Sequence, residues 1–344
     1  MSGTPATRAA LVAGALLLAS MLWALSIGAL PLGLGEIVSA IGRALVGAPP
    51  NDAQSSAVLI AIRAPRVVLA VLVGAALGAG GASLQTLFRN PLADPGLLGV
   101  SSGAAAAAAT AVVVEARLGA LLPSSARPYV ASIAGFAGAL AATVLLVRLG
   151  RLARRHDATS ALLLVGVALN ALALAVTGFV TFVADDAQLR TIAFWNLGSF
   201  GAATWSLLAV VAPTIVGGLA LVVHEAPRLA LVALGEREAR LAGVPLARTR
   251  RRVVVATALV VGASVAACGT IAFVGLMVPQ IARLWLGPDL RRLLPATMLA
   301  SGALLACTDT VARTVAAPAE LPLGILTALA GAPLFLTALI RGRA

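Results

Sequence analysis

The groups in this chain that could do acid–base, nucleophilic or metal chemistry are few: two histidines, two cysteines and thirteen carboxylates among 344 residues. His156 and His224 sit beside charged neighbours and read as solvated. Cys268 and Cys307 lie inside apolar blocks without a CxxC, so neither a disulfide framework nor a zinc site is indicated. No GxSxG elbow, HExxH pair or cluster of metal ligands occurs. All 25 basic residues are Arg, and a P-loop, GxxxxGK[ST], cannot be written without Lys. The chain therefore reads as non-catalytic and metal-free. Any ATP-driven work must fall to another subunit.

Charge that interrupts apolar sequence is the next place to look. Asp309 and Arg313, at i and i+4, read first as an ion pair near the outer interface, with a proton relay as the alternative. Their scarcity weighs against a proton- or sodium-coupled carrier. The stretch "HEAPRLALVALGEREARLAGVPLARTRRR" (224–252) has helical propensity, with Gly235 and Gly243 breaking it into short pieces. It is too long for a mere connector, and it either lies on the membrane surface or docks a soluble partner. Arg63, Arg66, Arg190 and Arg313 form an outer set: interfacial residues, or a basic rim facing an acidic partner or anionic solute. In "LFRNPLADPG" (87–96), Asn90-Pro91 disfavours helix and Asp94-Pro95 reads as an N-cap followed by Pro at the first helical position, so this segment is a tight turn.

The elements that must position these groups follow from composition. The chain is 60% hydrophobic and 11% charged, and its apolar residues come in blocks near the twenty needed to cross a bilayer. Windows such as "ALLLVGVALNALALAVTGFVTFV" are apolar on every face, which excludes the alternation of a membrane β-barrel. Ten spans are expected, at 9–30, 57–87, 97–114, 129–149, 158–183, 203–223, 252–271, 273–286, 293–315 and 322–340. With both termini cytoplasmic, most of the 25 Arg fall inside. The net charge of +12 is then positive-inside bias, and no nucleic acid is implied. Gly74 and Gly78 have GxxxG spacing and read as helix packing more readily than as a dimer seam. "RAPRVVLAVLVGAAL" and "RTRRRVVVATALVVGAS" open spans two and seven, which run oppositely, as inverted repeats do.

The segment "RAPRVVLAVLVGAALGAGGASLQTLFRNPLADPGLLGVSSGAA", with "FWNLGSF" (194–200), "GLMVPQIARLWLGPDLRRLLP" (275–295) and "APAELPLGILTALAGAPLFL" (317–336), closely resembles the FecCD-type permease subunits of bacterial ABC importers. That family carries iron–siderophores, haem and vitamin B12. The resemblance implies an all-α vitamin B12 permease-like fold in one domain, 1–344, in the bacterial inner membrane. It implies a homodimer forming the path, two ATP-binding subunits below, and a periplasmic substrate-binding protein above. Leu234, Gly235, Glu236, Arg237, Glu238, Ala239 and Gly243 look like the segment that couples to the ATPase. Arg63, Arg66 and Arg313 match positions where the family presents Arg to acidic residues of the binding protein. "ADDAQLRTIAFWNLGSFGAATW" looks most like haem permeases, which places Arg190, Phe194 and Trp195 along the substrate path, although a helix cap or headgroup contact explains Arg190 equally well. A ferric siderophore or cobalamin is the alternative cargo. No permanently bound cofactor is implied; ATP is used by the partner. Gln280 stands where the family commonly has His. An ion-coupled secondary transporter is the reading from a different class.

Overall fold

The computed structural model describes residues 5–118, 123, 126–152 and 158–340, so His156 lies outside the described residues. All regular structure among them is helical. The order is α1 (Pro5–Ser26), α2 (Leu34–Leu45), α3 (Ala53–Ala57), a π-helical turn (Val58–Arg63), α4 (Ala64–Leu87), α5 (Val100–Leu118), α6 (Val130–Leu152) and α7 (Ala158–Val183). There follow α8 (Asp186–Leu197), α9 (Trp205–Leu234), α10 (Glu236–Leu241), α11 (Leu246–Cys268), α12 (Val274–Leu286), α13 (Leu290–Val315) and α14 (Leu323–Ile340). Among the described residues seven helices are long and apolar enough to span a bilayer, and three shorter apolar ones, within α5, α12 and α14, bring the number to the expected ten. The amphipathic α2 and the α8 helix lie between spans on the outer side and are additions to the expected list.

α4 and α11 form the centre of the bundle, each flanked by helices on several sides. Their small residues explain why. An added Cβ at Gly74 would lie 2.4 Å from the Ser301 carbonyl oxygen, and one at Gly78 would lie 2.2 Å from Ser301 Oγ. The GxxxG face thus packs on α13 of the same chain, as the helix-packing reading expected. Gly81 is tighter still, with an added Cβ 1.9 Å from the Gly275 carbonyl oxygen of α12. Backbone cannot yield there as a side chain would. Gly81→Ala is expected to destabilise the protein by roughly 1–3 kcal/mol or more, read as a lower unfolding temperature of the purified protein. Gly178, beside which an added Cβ meets nothing within 4 Å, serves as the control. Four hydroxyls inside the spans are satisfied locally, Ser83, Thr86, Ser264 and Thr310 each donating to the carbonyl four residues back, whereas those of Thr257, Thr297 and Ser301 are buried with no partner among the described residues.

The turn after α4 is ordered as expected. Arg89 takes a left-handed φ of 48° and stays exposed. Asn90 Oδ1 accepts from Leu92 N at 2.9 Å, and Asp94 Oδ1 accepts from Gly96 N at 2.7 Å. Asp94 caps only a short 3₁₀ turn, Pro95–Leu98, after which left-handed Gly99 resets the chain into α5. Gln280 Nε2 donates to Pro91 O at 2.8 Å, which gives this amide a positioning role between α12 and the turn. Asn170 of α7 holds the same region, donating to Gly96 O at 3.0 Å and accepting from Ser102.

One expected boundary is corrected. The stretch 224–252 is mostly not a loop: α9 continues to Leu234 and α11 begins at Leu246, leaving only 235–245 between them. The polar pair His224 and Glu225 argues for the end of a span. Helix persists through them because Glu225 is neutralised by two arginines.

Candidate functional site

The inner tip is built from the ends of α9 and α11 with α10 between. Gly235 adopts φ 144°, in the region that favours glycine, and an added Cβ would meet Glu238 Oε2 at 1.9 Å. The chain therefore turns sharply under the Glu238 carboxylate into the six-residue α10. Ala239 is fully buried and packs with Val232 and Val244, fastening α10 to both long helices. Two ion-pair systems brace the mount. Glu236 meets Arg250 of α11 at 2.7 Å and Arg240 at 3.4 Å. Glu225, fully buried, meets Arg228 at 2.9 Å on its own helix and Arg252 of α11 at 2.9 Å. A carboxylate buried this far is tolerable only with such partners. The result is a rigid elbow. What it presents outward is apolar and charged at once: Leu234 is 72% and Leu241 82% exposed, with Arg237, Glu238 and Gly243 also at the surface.

Seven residues were expected here from sequence, and the structure brings all seven together. Glu225, Arg228, Arg250 and Arg252 were not singled out. Their signal was available as one carboxylate amid apolar sequence with an arginine run after it.

Three of the outer arginines, Arg63, Arg66 and Arg313, turn inward. Arg63 is 3% and Arg66 8% exposed, so neither stands on an open rim. Arg63 donates to the carbonyls of Leu25, Ser26 and Leu30, closing the C-terminus of α1. Arg66 makes a forked contact to Asp309, 2.8–3.0 Å, and a second to Glu320, at 2.8 and 3.0 Å. Asp309 thus pairs chiefly with Arg66. Arg313 is 3.9 Å from Asp309 and donates instead to the Ala24 carbonyl. Guanidiniums turn inward here because Asp309 and the end of α1 would otherwise bury unpaired polar groups. Glu320, in the 316–322 connection, is the partly exposed member, and the Arg66 hydrogen bond holds its carboxyl below the usual range.

Two segments singled out in the sequence, 194–200 and 317–336, converge with the end of α11 beside this cluster. Ser199 N donates to Cys268 O at 2.8 Å, and Leu323 N donates to Gly198 O at 3.0 Å. Thr270 Oγ1 donates to Asn196 O. Of the residues assigned to the substrate path, Arg190 and Phe194 are exposed on α8. Trp195 is not: its ring packs over Gly135 of α6, and its carbonyl lies against Gly269. Among the described residues no group of three or more His, Cys, Asp or Glu could hold a metal.

Known proteins resemble this chain over most of its length. Residues 16–341 match the model of the FecCD transport family. The hemin transport system permease protein of Yersinia pestis is 42% identical over 301 residues, 88% of each chain. A vitamin B12 import system permease protein of Klebsiella pneumoniae is 40% identical, covering 86% of this chain and 87% of its own. A solved metal-chelate type ABC transporter chain, in an inward-facing conformation, superposes with a TM-score of 0.83 at 29% identity, covering 97% of this chain and 99% of its own.

Proposed function

We propose, from the premise that this chain belongs to the FecCD transport family, that two copies of it line the path by which a bacterial ATP-driven importer brings haem into the cell. The chain is a multi-pass inner-membrane permease subunit of an importer of the metal-chelate, haem and vitamin B12 type. The rest of the reading is ours: a homodimer, two ATP-binding subunits gripping 234–243 from below, and a periplasmic binding protein delivering cargo from above. The braced elbow at Gly235–Gly243 carries it. A short helix fixed to two long spans, with leucines at its exposed tip, is what a soluble motor needs in order to move a membrane bundle.

Alternating access then follows mechanically. Motion of α10 passes to α11 through the Glu236–Arg250 pair and, by way of α9, through the Glu225–Arg252 pair, and α11 packs on α4, α6 and α9. On the outer side the binding protein would meet the 316–322 connection and α8. Arg63, Arg66 and Arg313 act there by positioning that connection, not as free cations. The broad apolar exposure of α7, including Leu164, Leu172, Phe179 and Phe182, suits a second copy. Arg190 is exposed where it would attract an acidic edge such as a haem propionate, and Phe194 is exposed on the same helix.

Uptake into proteoliposomes holding the assembled importer, compared for haem, a ferric siderophore and cobalamin, tests both levels. ATP-dependent entry of haem alone is expected. Preference for another chelate removes haem and leaves the importer. Uphill transport by the purified chain on a proton or sodium gradient alone removes the ATP-driven reading.

A further inference from the structure

The inner ends of α6 and α11 enclose a cavity of about 470 Å³ that no step above uses. Arg151, Arg248, Arg250 and Arg251 line it, and no carboxylate does so among the described residues. Arg250 spends one nitrogen on Glu236, while its Nε is buried with no acceptor among the described residues. Arg151, Arg248 and Arg251 make no ion pair among the described residues. The first turn of α11 opens on the same space, adding the positive end of a 23-residue helix. Like charges gathered this way repel one another unless an anion joins them.

The neighbouring groove indicates which anion. A second hollow, of about 290 Å³, shares Val147 and Arg151 with the first and continues along α6 and α11. Its walls are mostly apolar, Leu140, Val144, Val255 and Leu259 among them, with Thr143 and Arg148 as further polar members beside the shared Arg151. Val144, at 50%, is well exposed beside it. A charged bowl at the inner interface opening into an apolar channel matches one molecule in two parts.

We propose that this composite site binds an anionic phospholipid of the inner leaflet. Its phosphate is held by Arg151, Arg248 and Arg251, and one acyl chain lies in the groove between α6 and α11. A free phosphate would use the bowl but has no need of the groove. The site adjoins Arg250, so an occupied bowl also steadies the arginine that holds Glu236.

Delipidated protein in mild detergent, mixed with phosphatidylglycerol or phosphatidylcholine of matched chains, can be read by native mass spectrometry. The wild type is expected to retain phosphatidylglycerol and release phosphatidylcholine. Arg151→Gln, Arg248→Gln and Arg251→Gln together are expected to cut that retention about tenfold or more. Arg291→Gln with Arg292→Gln, whose partner Asp289 lies away from the cavity, should change nothing. Should the triple variant fail to fold, Arg248→Gln alone and Val144→Phe, which narrows the exposed groove, must each still lower retention. Equal retention of the two lipids, or retention untouched by these variants, overturns the site. Displacement of the lipid by excess inorganic phosphate overturns the lipid assignment in favour of a free anion.

Discussion

Arg66→Ala is expected to cost the folded protein about 3–5 kcal/mol, the usual penalty for leaving a buried charge without its partner. Asp309 is 1% exposed and receives three hydrogen bonds from Arg66, and Arg313 stands too far off, at 3.9 Å, to take over. Glu320 would lose both of its contacts as well, freeing the connection that leads into α14. Thermal unfolding of the purified variant reads the loss. Replacing the whole set, Arg66→Met with Asp309→Leu and Glu320→Gln, should recover most of it, because apolar side chains of similar size need no partners. A docking arginine predicts the reverse pattern. In that case Arg66→Ala would unfold at the wild-type temperature and lose only affinity for the binding protein, and that result would remove the network's structural role.

That contrast shows what the sequence could and could not disclose. Ten apolar blocks and the one-sided arginines determine the spans and their direction, because hydrocarbon tolerates neither charge nor unpaired backbone. The blocks do not disclose which helices are central. That depends on close approach at Gly74, Gly78 and Gly81, and a glycine's partner is visible only in three dimensions. Spacing along one helix made Asp309 and Arg313 neighbours. The stronger partner, Arg66, is 243 residues away in the chain, and no local pattern reports it. Charge also misplaced the end of α9. A carboxylate normally marks the edge of a span, but Glu225 is neutralised by Arg252, 27 residues on, so helix continues past it. α2 went unforeseen although Ile37 and Ile41 lie at i and i+4, because a twelve-residue outer helix resembles a connector when spans are sought by length. The break between α9 and α11 was legible residue by residue, since the glycines and charges of 235–243 are local.

Leu241→Asp is expected to weaken attachment of the ATP-binding subunits about thirtyfold or more, as for an interface anchor worth about 2 kcal/mol. Leu241 is 82% exposed at the end of α10 and makes no contribution to the buried cluster beneath it, so the chain itself should stay folded. Glu236→Ala should behave differently. Glu236 points back into the mount, where it holds Arg250, a side chain only 11% exposed. Its loss leaves the tip's surface intact while loosening the connection to α11. The ATP-binding subunits should then still assemble and hydrolyse ATP, but uptake should fall away from hydrolysis. Co-purification measures the first property, and the ratio of cargo moved to ATP consumed in proteoliposomes measures the second. Wild-type assembly by Leu241→Asp would mean that the motor grips the permease elsewhere. Unchanged coupling in Glu236→Ala would mean that force enters α11 by contacts other than the Glu236–Arg250 pair. The two variants together separate where the partner holds from how the push is transmitted, since a surface leucine and an inward carboxylate on the same short helix can fail independently.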